Sequence, residues 1–147
     1  MSLTSDLVKI VKDELLDYEK NRELIKELAV DFLNPDSLAD VSMPNPAPPP
    51  ANIPSGAYTV LTDIVARIAS VHFTIKSAQT ANNSKVYRWV SPRLAAIAFE
   101  GVHNSCMAVW MAAGPAVPAA NPPGLRPSVE RFVNWQVGLF VATIEGR

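Results

Sequence analysis

Two groups of residues have types and spacings that could do chemistry. His103 and Cys106 lie three apart in "HNSC", so a helix would set them on one face, where an imidazole can activate a thiol nucleophile. No third group that would orient the imidazole is visible nearby, and the pair reads more simply as a small buried cysteine beside a helix histidine. His72 stands alone in an apolar run and reads as a core or interface histidine rather than a ligand. The second group is "KVYRWVSPR", which interleaves Lys85, Arg88 and Arg93 with Tyr87 and Trp89. Cations of this kind meet phosphates, and rings stack on unpaired bases. On a helix, Lys85, Arg88 and Trp89 share a face, and Arg126 and Arg131 add charge from a later segment. The same run also fits two core aromatics flanked by solvated bases.

The remaining inventory points away from catalysis. No GxGxxG, GKS/T, HExxH or GxSxG pattern occurs, and residues 43–147 hold only Asp63, Glu100, Glu130 and Glu145 as acids. A paired-carboxylate mechanism would need Glu100 and Glu130 to meet in space. We therefore expect no enzymatic activity and no cofactor. The single cysteine excludes an intramolecular disulfide and cannot supply a structural zinc site by itself. Apolar runs are broken well before the roughly 20 residues a membrane span needs, and the N-terminus lacks a signal-peptide layout, so a soluble, cytoplasmic protein is expected.

These groups need elements to position them. At 147 residues, 48% apolar and 18% charged, the chain is sized for one folded domain with a real core. The net charge of −1 hides a split: residues 1–42 carry ten acids and five bases, residues 43–147 four acids and eight bases, or −5 against +4. Such a split suits copies meeting head to tail, a basic face for a polyanion, or simply two solvated faces.

Periodicity predicts an all-α protein, a bundle of about four main helices with proline-rich connectors. Leu7, Val11, Leu15, Tyr18, Ile25, Leu28 and Phe32 recur at helical spacing after an N-cap offered by Thr4, Ser5 or Asp6, with a bend near Asn21. Pro35 stops that helix, so residues 1–42 form an acidic amphipathic arm. Residues 43–56, rich in proline, form an extended linker. The core, 57–143, opens with a helix carrying Tyr58, Leu61, Ile64, Ile68, Val71 and Ile75, which "TANNS" ends. A second core helix runs through "SKVYRWVSPRLAAIAFEGVHNSCMAVWMAA" with a break favoured at Ser91–Pro92. Gly114–Pro115 ends it, and Ser128 caps a last helix striped by Val129, Phe132, Val133, Leu139 and Phe140. "IEGR", residues 144–147, is the recognition sequence of a blood-clotting protease used to remove tags, and is set aside as a scar.

Four short blocks carry a family resemblance: "RWVSP" from Arg88, "FEGVHN" from Phe99, "PPGLRPSVE" from Pro122 and "QVGLF" from Gln136. In this order they resemble the coat (capsid) proteins of flexible filamentous plant viruses of the potexvirus-like group, over roughly residues 88–140. The resemblance implies a helical structural protein that self-assembles, located in virion or host cytoplasm, and binds single-stranded RNA without sequence preference. It makes Arg88 a groove or core arginine, Glu100 its charge partner, and Arg126 the arginine of the distal block. It also implies a homo-oligomer joined through the N-terminal helix, docking as an amphipathic arm in a neighbour's groove. The rival expectation is an all-α interaction or adaptor module without nucleic acid.

Overall fold

A computed structural model describes residues 2–23, 25, 55–116 and 124–146, with the side chains of 55–61 left aside. It contains four helices: α1 (Leu3–Glu19), α2 (Ser55–Thr80), α3 (Pro92–Ala113) and α4 (Pro127–Ile144). The expected linker and the end of the arm, including Leu28 and Phe32, lie outside the described residues.

Local chemistry sets the helix ends. Ser2, rather than Thr4, Ser5 or Asp6, caps α1: its hydroxyl accepts from the Ser5 amide at 3.1 Å, and the Ser5 hydroxyl accepts from the Ser2 amide at 3.1 Å. Lys20 and Asn21 interrupt the helix where the bend was expected, and Arg22 and Glu23 are helical again. Ser91 caps α3 by accepting from the Leu94 amide at 3.3 Å, with Pro92 in the first turn, where its missing amide costs nothing. Gly114 ends α3 at φ 79°, a region that favours glycine. α4 begins at Pro127, so Arg126 is its N-cap residue instead of Ser128.

Pairwise contacts give the topology. Glu19 and Arg22 reach Trp110 and Met111, so α1 and α3 end at the same pole. Phe99 near the start of α3 meets Phe140 near the end of α4, with ring centroids 5.0 Å apart. Gln79 at the end of α2 bonds the Val90 carbonyl just before α3 at 2.8 Å. The bundle therefore alternates up and down, with α1 and α3 on one diagonal and α2 and α4 on the other. Its core joins Leu7, Val11 and Leu15 of α1 to Val71 and Ile75 of α2, Phe99, Cys106 and Trp110 of α3, and Val129, Val133 and Val137 of α4. Of the stripe expected on α4, Leu139 instead faces solvent, because the buried row steps by four through Val133, Val137 and Val141.

The described part of the docking arm expected over residues 1–42 packs on the other three helices of its own bundle. Leu7, Val11 and Leu15 are fully buried against the other three helices, at roughly 1.5–3 kcal/mol per side chain. Its apolar face is occupied by its own chain. Glu19 and Arg22 fasten the far end: Arg22 donates to the carbonyls of Trp110 and Met111, two acceptors left open at the end of α3, while its guanidinium lies 4.3 Å over the Trp110 ring. Glu19 accepts from the Trp110 indole and from the Ala116 amide at 3.0 Å.

A buried cation sits at the centre. Arg67 of α2, 2% exposed at its side chain, forks onto Glu100 of α3, with Nε to Oε2 at 3.1 Å, and donates to the Tyr18 hydroxyl of α1 at 2.9 Å. Glu14 of α1 stands 3.6 Å from the same guanidinium. Burial pulls the Arg67 pKa down, but the bond and charge of Glu100 outweigh it and the net shift is upward. Burial raises the Glu14 carboxyl, and Arg67 only partly offsets this. Removing one partner of such a pair leaves the other uncompensated. Arg67→Met should therefore cost roughly 3–5 kcal/mol in denaturant unfolding. Arg67→Met with Glu100→Met should recover a large part of that loss, and equal losses for single and double variants would show that the pair is not coupled.

His103 packs edge-on to Tyr18, centroids 6.1 Å apart, and neither ring nitrogen has a hydrogen-bond partner. Burial, then the Arg67 charge, pushes its pKa down to about 3. Between that value and the ordinary one near 6.5, the unfolded chain binds a proton that the folded chain refuses, so stability falls as pH drops through this window. The slope should approach about 1.4 kcal/mol per pH unit between roughly pH 6 and 5. His103→Phe should flatten it, as followed by urea midpoints, and an unchanged slope would contradict the assignment.

Candidate nucleic-acid interface

The run expected to be helical from Ser84 is instead a short clip between α2 and α3. Asn83 adopts φ 57°, a left-handed turn position that asparagine tolerates, and Val86 then donates its amide to the Ser84 hydroxyl at 3.1 Å. Lys85, Val86 and Tyr87 run extended beside the end of the chain. Tyr87 N donates to Ile144 O at 3.0 Å, Gly146 N donates to Lys85 O at 2.8 Å, and Val86 bridges Glu145 in antiparallel sense. A turn follows, Val90 N to Tyr87 O at 3.2 Å, and the Gln79 amide donates to both the Tyr87 and Val90 carbonyls. Backbone groups that a helix would have paired internally are thus satisfied across the fold.

The clip decides which side chains face water. Val86 and Val90 are buried and anchor it, while Lys85, Tyr87, Arg88 and Trp89 are exposed. Tyr87 and Trp89 stack on one another, centroids 5.5 Å apart and 18° from parallel, and Trp89 remains 76% exposed. Neither is a core aromatic. Arg93 follows in the first turn of α3 and is exposed. Among the described residues, no carboxylate pairs with Lys85, Arg88 or Arg93. The expected sharing of one helix face by Lys85, Arg88 and Trp89 gives way to this clip. Lys85, Arg88 and Arg93 are still exposed within the nine residues that carry the two-ring stack.

Other expected members lie elsewhere. Glu100 does not pair with Arg88; it faces inward to Arg67, leaving Arg88 free on the surface. Arg126 donates to the Pro115 carbonyl at 2.8 Å, and Arg131 is exposed in the first turns of α4. Both sit at the opposite pole, since the clip touches Ile144 and the thirteen residues from Arg131 span roughly 20 Å of helix. Cys106 is fully buried and its thiol is pushed up to about 11 by burial, so thiolate and base are both lacking in the His103–Cys106 pair. His72 is half-buried on α2. Among the described residues there is no group of three metal-ligating side chains, and no helix is long and apolar enough to cross a membrane.

Two supports were not anticipated. Gln79 carries no motif, and residues 144–146 were set aside as a scar, yet Ile144 is buried in the core and Gly146 lies under the Tyr87 ring. A Cβ on Gly146 would stand 3.0 Å from Tyr87 Cε1. Val86 and Val90 stand four apart, a spacing that fits a helix, so the sequence held no signal of an anchored, extended run. The chain matches no family model, no curated protein and no solved structure.

The strap can be tested apart from any ligand. Gly146→Pro removes the donor to Lys85 and crowds Tyr87, so trypsin should cut after Lys85 and Arg88 about five- to tenfold faster, as expected for losing one backbone bond of roughly 1 kcal/mol. The melting of the bundle should change little. Unchanged cleavage would mean that residues 145–146 do not hold the clip.

Proposed function

We propose that this chain is a structural, nucleocapsid-type protein that associates with copies of itself and holds single-stranded RNA without sequence preference on the clip from Lys85 to Arg93. The observation that carries the reading is the exposed Tyr87–Trp89 stack set among three cations without acidic partners. Every base offers a ring face and every nucleotide a phosphate, so stacking and charge bind any sequence, whereas contacts to base edges would select among them. The potexvirus-like resemblance supports the same reading, since its "RWVSP" block is the clip itself. Arg126 and Arg131, at the other pole, would meet RNA only as part of a longer path along the bundle. Such a protein belongs in a virion or the host cytoplasm.

A second reading, an interaction module without nucleic acid, is favoured by one observation: Phe73 of α2 is 73% exposed. Titration of labelled oligo-U and oligo-A at two salt concentrations separates them. RNA binding should weaken with salt at a slope near −0.7 per phosphate contact, Arg88→Ala should shallow that slope by about one contact for both sequences, and Trp89→Ala should lose roughly 1–3 kcal/mol. Salt-independent or undetectable binding, or full affinity in both variants, would leave the interaction module standing.

A further inference from the structure

We infer that the clip is a one-base site: the outer face of the Trp89 indole takes a single unpaired nucleobase, and Tyr87 is the ring behind it rather than a second base contact. This rests on the RNA reading proposed above and specifies what that surface can hold.

The two rings leave one face open. Tyr87 and Trp89 are stacked with centroids 5.5 Å apart and planes 18° from parallel, so each covers a face of the other. A base slipped between them would need two stacking layers of about 3.4 Å, a ring separation of roughly 7 Å. The present spacing has no room for that layer. The chain end crowds Tyr87 further, since a Cβ added to Gly146 would come within 3.0 Å of its Cε1 and 3.3 Å of its Cζ. Tyr87 is 41% exposed against 76% for Trp89, and the outer indole face is the ring surface of the pair that water still covers.

The backbone keeps the rings from parting. Tyr87 donates its amide to the Ile144 carbonyl at 3.0 Å, which ties it to the end of α4. Its carbonyl accepts from the Val90 amide at 3.2 Å and from the Gln79 side-chain amide at 2.9 Å, and the same Gln79 nitrogen reaches the Val90 carbonyl at 2.8 Å. Trp89 lies inside the turn that these bonds close. Val86 and Val90, buried on either side, hold that turn onto the bundle. Opening the pair to admit a base would strain or break these bonds, whereas stacking on the outside breaks none. Rings already fixed in place also lose little freedom when a base arrives.

The cations suit a single nucleotide. Arg88 adjoins Trp89 and Arg93 follows it by four residues, so both Cα atoms stand within about 14 Å of that of Trp89, and their long, exposed side chains are near enough to meet phosphates flanking one stacked base. One ring face with cations beside it recognises one nucleotide whatever its base. A base inside a duplex has both faces covered by its neighbours and offers none to the indole. The site therefore selects single strands, and it asks for one splayed base rather than a run.

Strands that differ only in how many bases they carry read this directly. Fluorescence anisotropy with the full chain compares five-nucleotide strands that are all uracil, carry two adjacent uracils, carry a single central uracil, or are fully abasic. The single-uracil strand should bind within about fivefold of the all-uracil one, the margin allowed by the extra registers of the full strand, and a second uracil should add no more than about twofold. The fully abasic strand should bind roughly 5- to 150-fold more weakly than the single-uracil strand, the range that one stacked base contributes. Trp89→Leu, which keeps Tyr87 covered but offers no ring, should bring the single-uracil strand down to the abasic level with unchanged melting. A larger gain from the second uracil would show that two bases stack, and would overturn the one-base site while leaving RNA binding in place. Equal binding of the single-uracil and fully abasic strands would overturn it too, with charge alone acting on the clip. An all-uracil strand that does not bind would overturn the RNA reading itself, and this site with it.

Discussion

The Arg67 guanidinium is the constraint on which the rest of the bundle depends. It lies where an aliphatic side chain would fit the row of Val71 and Ile75, and it is held there by Glu100 of α3, with Tyr18 and Glu14 of α1 around it. A charge this deep is tolerated only when donors and acceptors meet in one arrangement. Sliding α1 by a turn along α2 would separate Tyr18 from Arg67, and rotating α3 would turn Glu100 to water. Apolar seams define which faces meet, whereas this cluster defines how far along each helix they meet. It also consumes Glu100, and so leaves Arg88 without an acid to neutralise it.

The helical class was legible in the sequence because apolar residues recur at three and four, and because Pro92, Gly114 and Pro127 punctuate the pattern where helices begin and end. The break at Ser91–Pro92 was legible for the same reason. What covers an apolar face was not legible: the stripe from Leu7 to Tyr18 has the same period whether it packs on its own bundle or on a neighbour. The clip was misread as helix because Lys85 to Val90 contains no breaker, and its real partners, Ile144 to Gly146, lie almost sixty residues away. Arg67 escaped notice among the aliphatic positions of α2, although its spacing of four and eight from Val71 and Ile75 already placed it on the buried row.

The charge split reads differently once the helices are placed. Much of the acidity of the first helix is internal to the bundle or paired beside it: Glu14 and Glu19 serve Arg67, Arg22 and Trp110, while Asp13 and Asp17 pair with Lys9 and Lys20 on the surface. The surface pairs contribute little to stability. The clip, in contrast, shows three exposed cations that form no ion pair among the described residues. The described part of the N-terminal segment thus belongs to a closed bundle with a basic, aromatic clip at one pole and uncharged helix faces along its sides.

Photochemical cross-linking of a uridine-rich single strand to the full chain, followed by mass spectrometry of the digested adducts, tests the RNA assignment most directly. Aromatic rings stacked on bases are the groups from which such adducts form. The adducts should concentrate on the peptide that carries Tyr87 and Trp89 and should fall away in Trp89→Ala, with the fold intact. Adducts confined to the peptides around Arg126 and Arg131, or none above those of an unrelated protein, would contradict it.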